Sequence, residues 1–149
     1  MTPECVILVG LPGAGKSTFF AQRLAASHRQ ISKDLFPHAR DRQARQDALL
    51  RQALRAGESV AVDNTNVSPA ERASIIAIAR ESGARVVGYY IEATTREAVA
   101  RNERRAGRGR VPKVAIFTCA KRLVAPSLSE GFDEIHRLRV TPEGTFVEQ

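Results

Sequence analysis

A glycine-rich segment near the N-terminus has the residue types and spacing that bind phosphate. Residues 10–17 read GLPGAGKS and match the pattern G-x-x-x-x-G-K-[ST]. The glycines let backbone N–H groups turn toward phosphate oxygens, the Lys16 ammonium can reach the β- and γ-phosphates, and the Ser17 hydroxyl is a hard oxygen ligand for Mg²⁺. The pattern therefore predicts a site for ATP and Mg²⁺. Its expected members are Gly10, Pro12, Gly13, Ala14, Gly15, Lys16, Ser17 and Thr18, of which Thr18 mainly supports the following helix.

Two aspartates are candidates for the rest of the chemistry. Asp63 ends a short apolar run, which is the placement of a carboxylate that positions Mg²⁺, its bound water or an arginine. Asp34 lies in a predicted loop beside the γ-phosphate, where a carboxylate can accept the proton of an incoming hydroxyl. The alternative for Asp34 is a helix cap, a frequent role of aspartate. Asn64 and Asn66 follow in the same turn as Asp63, and their alternative is a turn-forming role.

Positive charge is concentrated in one part of the chain. The formal net charge is +7, and between residues 96 and 113 seven Lys and Arg residues stand against two Glu. Arg101, Arg104 and Arg105 are expected on one helix, at spacings that place Arg101 beside the other two. Such a density of cations suits an anionic ligand, and the overall charge favours encounter with a polyanion. Most of the seven side chains are nevertheless expected to be solvated.

Alternating strands and helices are predicted to position these residues. Apolar runs predict strands at residues 5–9, 30–31, 59–63, 85–91 and 134–140. Helical spacing predicts helices at residues 16–26, 39–56, 68–82, from 94 to the glycines at 107 and 109, and 112–123. Ser68 and Thr94 each begin a capping box, with a glutamate three residues later. Because strands alternate with helices, the sheet is expected to be mainly parallel and covered on both faces.

The phosphate loop and this alternation together predict an α/β fold of the P-loop NTPase and kinase type. It would have three layers, α/β/α, with a mainly parallel central sheet and a helical, Arg-rich lid at about residues 101–113. The length of 149 residues and the apolar and charged fractions of 43% and 26% suit one domain spanning residues 1–149. The early apolar run is too short for a signal peptide or a membrane span, so a cytoplasmic protein without membrane association is expected. Cys5 and Cys119 lack metal-ligand spacing and are expected to be structural thiols.

With these motifs in place, the chain resembles the kinase domain of polynucleotide 5′-hydroxyl kinases. The resemblance rests on the phosphate loop, Asp34, residues 62–66 (VDNTN) and residues 101–105 (RNERR), in that order, and it covers nearly the whole length. It implies a Mg²⁺-dependent, in-line transfer of the γ-phosphate of ATP to the 5′-hydroxyl end of DNA or RNA. Asp34 would be the general base, and Lys16 would hold the β- and γ-phosphates.

The same resemblance implies roles for the other charged residues. Arg105, and secondarily Arg101, would be lid arginines that stabilise charge on the transferring phosphoryl group. Asp63 would orient the site through the water shell of the metal or through an arginine. The aromatic content of 5%, without tryptophan, argues against an extended base-stacking platform, so acceptor recognition is expected to rest on phosphate and end chemistry.

The chain departs from the family pattern in two places. Some members carry an arginine three residues after the general base, where it holds the phosphate of the acceptor, and this chain has Pro37 there. His38 or Arg40 can replace it, and Asn64 and Asn66 are further candidates for acceptor contacts. Many such kinases are also fused to phosphatase or ligase domains, whereas this chain ends soon after the last predicted strand. A ligase or phosphatase active in end repair would then be a separate protein.

Two other functions fit the same motifs. P-loop kinases of similar size phosphorylate small molecules such as sugars, nucleosides and antibiotics, although the basic cluster and the turn at residues 63–66 favour a nucleic acid. An ATP-dependent switch or binding protein would need no acceptor base, so Asp34 argues against that function. Nothing in the sequence favours one oligomeric state.

Overall fold

A six-stranded sheet forms the centre of the protein in the computed structural model, which describes residues 2–107 and 110–149. Its strands, in chain order, are β1 (Glu4–Val9), β2 (Arg29–Ile31), β3 (Val60–Asp63), β4 (Arg85–Glu92), β5 (Glu134–Val140) and β6 (Phe146–Glu148). The spatial order is β2-β3-β1-β4-β5-β6, in which the first five strands are parallel and β6 is antiparallel to β5. The sheet is therefore mainly parallel, as predicted, with one antiparallel strand at its edge.

The helices cover both faces of this sheet. They are α1 (Lys16–Phe19), which continues as a π-helix over Phe20–Leu24, α2 (Arg42–Arg55), α3 (Pro69–Glu81), α4 (Thr95–Glu103) and α5 (Lys113–Arg122). Leu50 of α2 and Ile75 of α3 share one core with Ile7 of β1. The neighbouring Val6 points to the opposite face and packs in a second core with residues of α1, α4 and α5. This arrangement confirms the three-layer α/β/α fold. Within the described residues, no helix has the length and hydrophobicity of a membrane span.

Capping boxes fix the starts of two helices, as predicted. The Ser68 hydroxyl accepts from the backbone N–H of Glu71 at 3.3 Å, and the Thr94 hydroxyl accepts from that of Glu97 at 3.1 Å. Each glutamate in turn accepts from the backbone N–H of its N-cap residue, at 3.0 and 2.8 Å. These reciprocal bonds satisfy N–H groups that a helix start would otherwise leave without partners.

Two helix boundaries and one strand differ from the prediction. α2 begins only after Asp41, whose side chain accepts from the N–H of Ala44 at 3.0 Å, and not at residue 39. α4 ends at Glu103, so Arg105 lies beyond the helix and not on it. β6 is missing from the prediction, because its three residues are too few for a recognisable alternation.

Both cysteines are free thiols, in agreement with their predicted structural role. Cys5 is fully buried in β1, and burial raises the pKa of its thiol to about 12, so the reactive thiolate is suppressed. Cys119 of α5 is partly buried against the core that α5 shares with α1 and α4.

The C-terminal strand packs against the helix that follows the phosphate loop. The Phe146 ring of β6 meets the Phe19 ring of α1 edge to face, with centroids 5.1 Å apart. Arg23 donates a hydrogen bond to the carbonyl oxygen of Phe146 at 3.3 Å. The edge strand therefore supports the helix that begins at Lys16.

His136 of β5 ties this edge strand to the sheet. One of its ring nitrogens lies 2.5 Å from a carboxylate oxygen of Glu134, the other lies 3.0 Å from one of Glu148, and the ring stacks on Tyr89 of β4. Partial burial lowers the pKa of His136, but the hydrogen bonds with Glu148 and Glu134 outweigh it and leave the pKa raised above its usual 6.5. The protonated ring therefore bridges two carboxylates, one of them in β6.

Folding stability should fall as the pH rises through the raised pKa of His136. Since this pKa is higher in the folded than in the unfolded chain, the contribution is complete below pH 6.5 and is lost above the folded value. We expect His136→Gln to remove this part of the pH dependence, worth less than about 1 kcal/mol because the site is partly exposed. Urea unfolding at several pH values measures it, with the exposed His38 changed to Gln as control. Identical pH profiles for wild type and His136→Gln would contradict the assignment.

Candidate active site

The phosphate loop joins the end of β1 to α1 at the carboxyl edge of the sheet. Gly13 and Gly15 have φ angles of 86° and 111°, in the left-handed region that favours glycine. A β-carbon at Gly13 would overlap the carbonyl oxygen of Ala98, so α4 packs directly on the loop. The shape of the loop is thus set by its own glycines and by α4.

Lys16 begins α1, and its side chain folds back over the loop. Its Nζ donates hydrogen bonds to the carbonyl oxygens of Gly10 and Leu11, both at 2.9 Å, and the residue is buried. Burial lowers the pKa of Lys16 to about 8, and the negative charge of Asp63 opposes this effect in part. The ammonium can exchange these two neutral carbonyl contacts for a phosphate without leaving the loop.

Asp63, at the end of β3, faces the hydroxyl of Ser17. Its Oδ2 accepts hydrogen bonds from Ser17 Oγ at 3.1 Å and from Gln30 Nε2 at 2.9 Å. A hydroxyl and a carboxylate this close are hard oxygen donors of the kind that Mg²⁺ prefers, so these residues fit a Mg²⁺ bound with the nucleotide. Gln30 of β2, which the sequence did not single out, orients the carboxylate.

Asn66 is a structural residue of the turn that follows β3, and not the acceptor contact predicted for it. It is buried with φ 47°, and its Nδ2 donates to the carbonyl oxygens of Leu8 at 2.8 Å and Val62 at 3.3 Å. Its own carbonyl oxygen accepts from Nη1 of the fully buried Arg72 at 2.8 Å. Asn66 therefore ties the ends of β1 and β3 together from inside the protein.

Asn64 connects the same turn to the segment that carries Asp34. Its Oδ1 accepts from the backbone N–H of Lys33 at 3.0 Å, and its Nδ2 donates to Oε1 of the buried Gln46 in α2 at 2.6 Å. Both ends of the amide are therefore engaged within the protein. Asn64 positions the 3₁₀ turn Lys33–Leu35 relative to the sheet.

Asp34 extends from that turn into open space. Its side chain is 93% exposed, and its backbone N–H donates to Ser32 Oγ at 3.3 Å. Its Oδ1 lies 3.5 Å from Nη2 of Arg42, the first residue of α2. The carboxylate is thus placed by its backbone and by one cation, and it stays accessible to an acceptor.

These residues open into one cleft of about 440 Å³. The predicted site residues in its lining are Pro12, Gly13, Lys16, Ser17, Asp34, Asp63, Asn64 and Arg105. Gly10, Ala14 and Gly15 are buried in the loop behind this surface, and Thr18 is exposed on α1. The cleft therefore joins the predicted nucleotide site to the predicted acceptor base.

The acceptor side of the cleft differs from the prediction. His38 and Arg40 are exposed between the 3₁₀ turn and α2, and the lining contains neither of them. Arg42, in contrast, lines the cleft and lies beside Asp34. The sequence did not single out Arg42 because a helix starting at residue 39 would make it one of several surface arginines. The capping aspartate just before it is the signal that places Arg42 at the helix start.

The two predicted lid arginines occupy different places. Arg105 lines the cleft. Arg101 instead donates through Nη1 to the carbonyl oxygens of Ala14 at 3.2 Å and Gly13 at 3.5 Å, so its guanidinium holds the phosphate loop. The predicted lid is helical at its two ends, in α4 and α5, and residues 108–109 within it lie outside the described residues.

Together these features define a nucleotide-binding P-loop domain of the kinase type. The phosphate loop follows a buried parallel strand and leads into a helix, and the neighbouring strand β3 brings a carboxylate to its serine. A family described as AAA domain has a profile that matches residues 5–123, and the chain belongs to this family.

Several solved structures, two of them of kinases, share the fold. A gluconokinase from Sinorhizobium meliloti 1021 has a TM-score of 0.65 at 20% identity, over 93% of this chain and 83% of that one. Kti12 from Chaetomium thermophilum, solved in complex with ADP-AlF3, has a TM-score of 0.66 at 17% identity, over 94% and 92%. A fungal RNA kinase has a TM-score of 0.71 at 16% identity, over 93% of this chain and 38% of that one. At these identities the similarity establishes the fold, and the substrate has to be argued from the site.

Nucleotide affinity should weaken above pH 8. With the Lys16 pKa lowered to about 8, the ammonium is progressively neutralised above that pH, and its attraction to phosphate is lost. Calorimetric titration of ADP·Mg²⁺ should show Kd rising by up to about tenfold per pH unit above this pKa. Lys121→Gln, which changes an exposed lysine of α5, should keep the same profile. A Kd that is constant between pH 7 and 9 would rule out this role for Lys16.

Both Asn66→Ala and Asn66→Gly should destabilise the fold, and Asn66→Ala should do so more strongly. Asn66→Ala removes the two strand-end hydrogen bonds and also the polar side chain whose local bonds let Asn adopt the left-handed region more readily than Ala, so we expect a loss of about 2–4 kcal/mol. Asn66→Gly loses the same bonds but tolerates the backbone, and should cost about 1 kcal/mol less. Urea unfolding measures both variants. Equal stability of the two variants and wild type would show that this turn does not constrain the sheet.

Proposed function

We propose that this protein is an ATP- and Mg²⁺-dependent kinase that transfers a phosphoryl group to the 5′-hydroxyl end of a DNA or RNA strand. The observation that carries the proposal is that the exposed carboxylate of Asp34 lines the same cleft as Lys16 and Ser17 of the phosphate loop. A nucleotide site and a candidate acceptor base thus open into one space, as direct phosphoryl transfer requires.

The nucleotide half of the reaction would use the phosphate loop and β3. Lys16 would hold the β- and γ-phosphates, and Ser17 with Asp63 would hold the metal, since their oxygens are already adjacent. When bound, ATP·Mg²⁺ supplies the γ-phosphoryl group with part of its charge neutralised. Arg105 lines the cleft and would stabilise charge on that group. Arg101 would act indirectly, by positioning the loop through its carbonyl contacts.

The acceptor half would use Asp34 as general base. Asp34 would accept the proton of the acceptor hydroxyl while the hydroxyl oxygen bonds to the γ-phosphorus, and the bond from this phosphorus to the β–γ bridging oxygen breaks to release ADP. The positioning of Asp34 supports this role. Its own N–H is bound by Ser32, the preceding N–H by Asn64, and its carboxylate points into open space.

The chemistry of the cleft favours a nucleic acid end over a sugar. Lys33, Arg42 and Arg105 add positive charge to that of Lys16 in the lining. Leu35, an apolar side chain that is 62% exposed, lines the same space. A nucleoside with an attached phosphate offers both an anion and a base with an apolar face, whereas a neutral sugar offers neither and the sugar acid gluconate offers only the anion.

A small-molecule hydroxyl is the second candidate acceptor. The cleft of about 440 Å³ is compact, and the fold is also that of a gluconokinase. An ATP-dependent switch, the remaining alternative, would hydrolyse ATP slowly and pass phosphate to no acceptor.

Transfer of γ-labelled phosphate tests the proposal directly. Wild-type protein with ATP·Mg²⁺ is offered short DNA and RNA strands with 5′-hydroxyl ends, the same strands already 5′-phosphorylated, and gluconate. We expect label on the 5′-hydroxyl strands. Asp34→Asn should reduce kcat by about 10²–10⁴-fold, because the base is lost. Its ADP affinity should stay close to that of wild type, because Asp34 does not belong to the phosphate loop.

A matched control is Glu58→Gln, which changes an exposed carboxylate just before β3. Glu58 lies at the amino end of this strand, whereas the cleft lies at its carboxyl end. It should retain wild-type transfer. Wild-type rates in Asp34→Asn would remove the base assignment. Label on gluconate but on no strand would establish the small-molecule alternative, and hydrolysis without any labelled acceptor would establish the switch.

A further inference from the structure

Arg42 lies where a group next to the reacting hydroxyl would enter the cleft. It contributes to the lining, and its Nη2 is 3.5 Å from Oδ1 of Asp34. Its side chain is 43% exposed, and a guanidinium has five N–H donors, so this long contact leaves most of them open. An exposed ion pair of this kind contributes little stability, and an acceptor phosphate can therefore compete for the arginine.

Arg45 continues the positive charge along the surface of α2. It lies three residues after Arg42 and is therefore its neighbour on the helix surface. Arg45 is exposed, and within the described part of the chain its side chain has no hydrogen-bond or ion-pair partner. The buried face of the helix is formed by Gln46, Leu50, Ala53 and Leu54. Arg42 lies at the border of this face and Arg45 lies further from it, so both side chains reach solvent.

Nearby polar groups are already engaged in local contacts. The Lys33 ammonium, on the same wall of the cleft, donates to Gln43 Oε1 at 2.7 Å. The carboxylate of Asp41 accepts from the backbone N–H of Ala44 as the cap of α2. On α2 itself, Arg42 and Arg45 are therefore the cations on this side whose donors are most available to an anion, and Arg40, in the segment before the helix, is exposed as well.

We propose that Arg42 and Arg45 form a track for the acceptor strand. Arg42 binds the first phosphate on the 3′ side of the reacting nucleoside, and Arg45 binds the second. The inference rests on the proposed function and specifies where the strand leaves the cleft, along the N-terminal half of α2. Neighbouring positions on a helix have β-carbons about 5–6 Å apart, and flexible arginine side chains extend that spacing to successive phosphates of a single strand. Guanidinium groups suit this task because they bind phosphate through paired N–H donors.

The track makes acceptor preference depend on the number of phosphates. A nucleoside 3′-monophosphate can use Arg42 alone, whereas a dinucleotide with a terminal 3′-phosphate can use both arginines. The KM should therefore be lower for the dinucleotide than for the nucleoside monophosphate. It should change less on further lengthening, because no third cation continues the line along the described face of the helix.

Steady-state kinetics with three variants test the track. The acceptors are a nucleoside 3′-monophosphate, the dinucleotide with a 3′-phosphate and a longer oligonucleotide, all with 5′-hydroxyl ends. Arg45→Gln should raise the KM of the dinucleotide and the oligonucleotide about two- to fivefold, and more than that of the monophosphate. Arg42→Gln should raise the KM of all three. Arg51→Gln is the matched control, because Arg51 is an exposed arginine on the other side of α2.

A binding measurement gives an independent readout. Fluorescence anisotropy of a labelled oligonucleotide gives the binding constant at several salt concentrations. The slope of its logarithm against the logarithm of the salt concentration should be smaller in magnitude by about 0.7 in Arg45→Gln, because one phosphate contact is lost, and unchanged in Arg51→Gln. Arg45→Gln behaving like Arg51→Gln with every acceptor would overturn the track while leaving the kinase function intact. Absence of transfer by wild type to any of these acceptors would overturn the proposed function and the track together.

Discussion

The turn after β3, residues 63–66, is the constraint on which the rest of the site depends. Asp63 contacts the serine of the phosphate loop, and Asn64 holds the acceptor-side segment. The carbonyl oxygen of Thr65 accepts the N–H of the first loop glycine at 3.0 Å, and the Asn66 side chain binds the end of β1. Four consecutive residues thus fix the phosphate loop and the segment of Asp34 relative to one another. The proposed phosphoryl transfer needs this, because it depends on the relative position of the reacting groups.

This turn is itself held by a buried ion pair. Arg72 of α3 is fully buried, and its Nε and Nη2 donate to the two carboxylate oxygens of Glu130 at 2.8 and 2.9 Å. Its remaining Nη1 binds the carbonyl oxygen of Asn66, the residue in the left-handed conformation. Burying charge is costly unless every donor finds a partner, and here the pair is bidentate and bonded to the backbone as well. These hydrogen bonds offset the cost of burying the charges, and they fix one geometry for the turn.

Features that depend on short-range patterns could be predicted from the sequence. The phosphate loop, the parallel sheet and the capping boxes at Ser68 and Thr94 follow from residue types a few positions apart. Other roles depend on contacts between distant segments. Arg72 meets a glutamate 58 residues away, and Arg101 meets loop carbonyls 87 and 88 residues away, so neither partner is visible in local spacing. Asn66 has the residue type of a ligand contact, and only its burial identifies it as structural.

The central claim is that one cleft presents an acceptor hydroxyl to Asp34 and a γ-phosphoryl group to Lys16. The measurement that tests it most directly is a crystal structure with ADP, Mg²⁺, an aluminium fluoride mimic of the transferring group and a dinucleotide with a 5′-hydroxyl. The account predicts that the 5′-oxygen lies about 2.6–3.2 Å from the Asp34 carboxylate and faces the mimic held by Lys16. A dinucleotide bound elsewhere, with Asp34 still paired to Arg42, would contradict it.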